Sequence, residues 1–102
     1  MDQIASIEEE LRLAKQAKAA VEDIGTKSRE EVIAILRNAI RTVQMQPGFS
    51  SGNALIDARH KIGLALPLVI SGLHGDRPEE EKIDTAKSAI EAWIKELEAA
   101  RM

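Results

Sequence analysis

The 102-residue chain has no cysteine and no tyrosine, and its only aromatic residues are Phe49 and Trp93. Without cysteine there is no disulfide, no thiol nucleophile and no cysteine-ligated zinc. Two aromatics supply no row of rings on which single-stranded nucleic acid could stack its bases. Proline occurs only three times, and neither Gly48 nor Gly52 opens onto the Gly-Lys-Ser/Thr of a phosphate-binding loop. Long hydrophobic runs are also missing. The most apolar stretch, Ile62 to Leu73, carries Gly63, Pro67 and Ser71, and it falls short of the roughly twenty residues that cross a bilayer. The N-terminus reads Met1-Asp2-Gln3-Ile4 and turns acidic at Glu8-Glu9-Glu10, unlike the basic start and apolar stretch of a secretory signal. These gaps predict a cytoplasmic protein that meets no membrane, uses no cofactor and is not an enzyme.

Apolar residues make up 44% of the chain and charged residues 30%, with a formal net charge of −3. That balance suits one small domain over residues 1–102, with a core and a well-solvated surface. It is not the strongly basic footprint of a nucleic-acid binder. Arg37 with Arg41, and Lys15 with Lys18, make basic pairs that nearby acids dilute.

Helical periodicity runs through the chain. Ile4, Ile7, Leu11, Ala14, Ala17, Val21 and Ile24 follow the 3- and 4-residue steps of one helical face. Asp2 can cap this first helix, and Gly25 can take the left-handed turn after it. Its stripe is thin after Leu13, where alanines replace larger side chains. The first helix is therefore expected to dock least firmly, to extend from the body, or to pair with another chain. Ser28-Arg29-Glu30-Glu31 is a capping box that starts the second helix. Val32, Leu36, Ala39, Ile40 and Val43 form its stripe, and Pro47-Gly48 ends it.

A polar loop through Asn53 leads to a third helix with Leu55, Ile56, Ile62, Leu66, Val69, Ile70 and Leu73 as core candidates. Pro67 lies inside this run and crowds the carbonyl of Gly63, which predicts a kink and not a break. Asp76-Arg77-Pro78-Glu79 signals the start of the fourth helix. Ile83, Ala86, Ile90, Trp93, Ile94, Leu97 and Ala100 give its buried face. The expected fold is an all-α, antiparallel four-helix bundle with helices near 2–24, 28–46, 53–73 and 77–101.

Few residues offer chemistry. Asp57 and His60 share a face at the spacing of half a bundle di-metal site. The only other histidine, His74, sits in the Gly72–Gly75 turn, so no metal site is expected. The triplets Glu8–Glu10 and Glu79–Glu81 cannot converge, because consecutive helical residues point about 100° apart. They read as solvated charges that complement helix N-termini. Ser50-Ser51-Gly52 reads as a loop of small residues.

Features suited to protein binding remain. Phe49 projects from a Gly/Ser loop, or else folds back to close the bundle end. Trp93 is either core or an interface anchor. The segment from Asp76 to Met102 has eight acids against five bases, a net −3 that suits a basic partner.

The order of three motifs resembles a family of small all-helical bacterial immunity proteins. These neutralise toxins delivered by the type VI secretion system, including one that destroys NAD(P). The motifs are a capped helix ending in Pro47-Gly48-Phe49, the pair Asp76-Arg77 before the last helix, and Ala89-Ile90 followed by Trp93. Together they cover about Ser28 to Trp93. The sequence departs from the family pattern at Ala92, where an acidic residue usually precedes the aromatic; here Glu91 comes one position earlier. The middle helix is also about one turn longer, and the first helix has no counterpart. The resemblance implies an inhibitor that binds a toxin domain through residues such as Phe49, Asp76, Arg77, Glu91 and Trp93. The competing expectation is a self-associating helical module of phage or secretion-chaperone type, a homodimer whose seam is the first helix.

Overall fold

The computed structural model describes residues 7–45, 54–75 and 78–101. They form four helices: α1 over Ile7–Glu22, α2 over Arg29–Gln44, α3 over Ala54–His74 and α4 over Glu80–Arg101. No strand occurs among the described residues, and the one extended pairing is an isolated bridge between Ile24 and Lys27. The chain is an all-α four-helix bundle, as its periodicity predicts.

Local chemistry sets the first corner. Gly25 adopts φ 96°, the left-handed region that other residues avoid. The Asp23 carbonyl accepts the N–H groups of Thr26 at 2.9 Å and Lys27 at 3.0 Å, closing the turn. Ser28 is extended, and its hydroxyl accepts the Glu31 N–H at 3.2 Å, the serine half of a capping box. So tight a corner leaves α2 no course but back along α1.

Each helix packs on two neighbours: α1 on α2 and α4, and α3 on α2 and α4. The diagonal pairs do not pack backbone to backbone. Lys15 pairs with Glu98 and Lys18 with Glu91, so numbers rise along α1 as they fall along α4. The helices thus alternate in direction around the ring. The radius of gyration is 13.2 Å, the value of about 13 Å expected for a compact chain of this length.

The core takes Leu36, Ile62, Leu66, Val69, Ile90, Trp93 and Leu97, all fully enclosed. The alanines of α1 do not leave it loose. Ala14, Ala17 and Ala20 are completely buried, because small side chains let the α1 backbone come close to its neighbours. The seam expected to await another chain is therefore filled by α2 and α4 of the same chain. Ala100 is the exception among the expected core positions on α4: it is exposed in the last turn.

α3 runs unbroken through Pro67, whose ring faces solvent. α4 begins at Glu80, three residues after the position that the start signal suggests. Pro78 is buried outside the helix, and the Glu79 carbonyl accepts the Ile83 N–H at 3.1 Å. The reason is the close approach of Pro78 to α3. A Cβ on Gly72 would stand 2.7 Å from the Pro78 Cα, so glycine is what lets the chain turn there.

Candidate protein-binding surface

Three side chains from three helices meet inside the bundle, toward the end where α1 and α3 begin. The Glu10 carboxylate of α1 is completely buried. Arg59 of α3 donates to it twice, Nε to Oε2 and Nη2 to Oε1, both at 2.8 Å. The indole Nε1 of Trp93 on α4 donates to the same Oε2 at 2.8 Å. A forked guanidinium matches a carboxylate in this way, and a buried indole N–H needs an acceptor. Among the described residues, no buried side-chain nitrogen or oxygen lacks a partner. The Glu10 carboxylate and the Trp93 indole N–H thus find their partners within the bundle, and the clasp ties α1, α3 and α4 together.

An open groove lies between α3 and α4. It measures about 570 Å³ and has Leu64 and Leu68 on one bank and Ser88 and Ala92 on the other. Ala65 and Ala89 lie in its floor, nearly buried. Leu64 is 61% exposed and Leu68 50%. One turn apart on the face away from the Ile62–Leu66–Val69 core stripe, they form an apolar ridge that the bundle does not cover. Lys61 and Asp84 also line the groove. α3 and α4 run in opposite directions from their shared turn, so Asp84 lies near the turn end and Lys61 at the far end.

A smaller cleft of about 320 Å³ lies at the end of the bundle that holds the α1–α2 corner, between Ile24, Val32, Leu73 and Pro78. Lys27 and Arg29 stand at its edge.

Of the residues expected to contact a partner, the structure describes Trp93 and Glu91. Trp93 is fully buried, so its ring is core and its polar end is spent on Glu10. Glu91 is exposed on α4 and stands 4.0 Å from Lys18. Phe49, Asp76 and Arg77 lie outside the described residues. Asp57 and His60 are both exposed, and among the described residues no three metal-ligating side chains converge. The sequence Gly48-Phe49-Ser50-Ser51-Gly52 has the spelling of a nucleophile elbow and lies outside the described residues. That motif works from a strand-to-helix turn, and here it follows α2 in a helical chain. No helix among the described residues is long and apolar enough to cross a membrane.

No family model, curated protein or solved structure matches this chain.

Sequence reasoning missed Glu10, Arg59, Leu64 and Leu68. Glu10 had a signal: it lies three residues after Ile7 and four before Ala14, on the buried face of α1. Leu64 and Leu68 had one too, as apolar residues four apart that fall off the α3 stripe.

Proposed function

We propose that this chain works by binding another protein and carries out no chemistry of its own. The observation that carries this reading is the Leu64–Leu68 ridge beside the α3–α4 groove. Two large aliphatic side chains left in water over a floor of alanines fit the docking of a partner's apolar side chains.

The more specific form of the reading is an inhibitor that neutralises a bacterial toxin in the cytoplasm. The motif order from Ser28 to Trp93 supports it, as does a net charge of −3 that would speed encounter with a basic toxin. In that form, Phe49, Asp76, Arg77 and Glu91 are the candidate contacts, while Trp93 is held in the core. The protein encoded by the adjacent reading frame is the first target to try. Co-expression should rescue growth and yield a stoichiometric complex. Absence of both rescue and complex would count against the inhibitor form.

A further inference from the structure

Among the described residues, Lys61 and Asp84 are the only charged side chains that line the α3–α4 groove. Gly72 meets Pro78 where α3 hands over to α4. Asp84 lies six residues beyond Pro78, level with α3 near Leu66 to Leu68. Lys61 therefore stands about 8–10 Å further along the groove. Neither forms an ion pair among the described residues. Between them lie the Leu64–Leu68 ridge and the small side chains of Ala65, Ala89 and Ala92. The groove is thus basic at one end, acidic at the other and apolar between.

Both banks are helices, which offer no sheet edge to an extended peptide. An extended segment laid on this apolar floor would bury N–H and C=O groups without partners. A helix bonds those groups within itself and presents apolar side chains along one face. All four helices of this chain already turn their apolar stripes to its own core. The helix that fits the groove therefore comes from a different protein.

Resting on the reading of this groove as a protein-binding surface, we propose that its occupant is an amphipathic helix of another protein, acidic on the flank over Lys61 and basic on the flank over Asp84. Its apolar side chains fill the space over Ala65 and Ala89 beside the leucine ridge. The two charges set where along the groove the helix rests, and they discriminate against helices flanked by one sign throughout.

Fluorescence anisotropy with the full chain and three labelled peptides tests this. Each peptide is a short helix, stapled on its solvent face and carrying leucines on the other. The positions flanking the leucines are all glutamate, all lysine, or glutamate in one half and lysine in the other. Wild type should bind the mixed peptide about threefold or more tighter than either single-sign peptide. Lys61→Glu should shift the preference to the lysine peptide, and Asp84→Lys to the glutamate peptide. Leu64→Asp should abolish binding of the mixed peptide. All three substituted positions are exposed, and circular dichroism should show each variant folded. A wild type that binds none of the peptides, or binds them without preference, would overturn the proposal. So would binding that survives Leu64→Asp. A chain that binds no peptide yet loses a whole-protein partner on Leu64→Asp would overturn the helix and leave the binding reading standing. A wild type that dimerises in sedimentation velocity, and loses the dimer on Leu64→Asp, would overturn it in favour of a second copy.

Discussion

Glu10 of α1 and Arg59 of α3 form a two-bonded ion pair across the diagonal of the bundle, between helices whose backbones do not pack on each other. The Arg59 side chain is only 13% exposed and the Glu10 side chain is fully enclosed. The pair links two helices that are not backbone neighbours. Trp93 adds the third helix, so α1, α3 and α4 are tied at one carboxylate.

Removing that carboxylate should therefore be costly. Glu10→Ala leaves a largely buried guanidinium unpaired and an indole N–H without its acceptor, a loss of about 3–5 kcal/mol. Glu8→Ala, two residues earlier in the same acidic triplet but exposed, should stay close to wild type. Urea titrations of both variants make the comparison. Equal midpoints would show that the clasp contributes nothing.

Trp93 is the only tryptophan, so its fluorescence reports the core directly. Emission should be blue-shifted in the native protein and move red on unfolding. Trp93→Ala should cost about 3–5 kcal/mol. Trp93→Phe keeps most of the ring but loses the donor to Glu10, and should cost about 1–2 kcal/mol. A native spectrum like that of free tryptophan would contradict a buried ring.

Two glycines of α3 should respond in opposite directions. Gly72→Ala forces a methyl group against the Pro78 backbone at 2.7 Å, which should cost about 1–3 kcal/mol. A Cβ on Gly63 meets nothing within 4 Å. Gly63→Ala should therefore stabilise the helix by about 0.5–1 kcal/mol, because alanine gives up less backbone freedom than glycine. Thermal melts of the two variants should bracket wild type.

The helices were legible because amphipathic periodicity and caps are local. Ser28, Gly25 and the 3/4 stripes place all four elements within a few residues. The start of α4 was not, because the Gly72–Pro78 contact is a tertiary event that displaces a good local start signal. Burial of Glu10 escaped a reading by residue type, which assigns three glutamates in a row to solvent. Its partners lie 49 and 83 residues away, beyond any local pattern. Leu64 and Leu68 escaped for a different reason: they fall off the stripe of core candidates, and in a helix so rich in apolar residues a pair left outside the stripe draws no notice. Ile33, Ala58, Ala65 and Ala89 are buried too: each stands three or four residues from a core position, on a stripe wider than the one read from the largest side chains.

The most direct measurement is the double variant Leu64→Asp/Leu68→Asp, assayed for stability and for complex formation with itself and with the adjacent reading frame's product. Both side chains are at least half exposed, so the urea midpoint should be kept or raised, while complex formation at the α3–α4 groove should be lost. A folded double variant that keeps every complex formed by the wild-type chain would contradict the account.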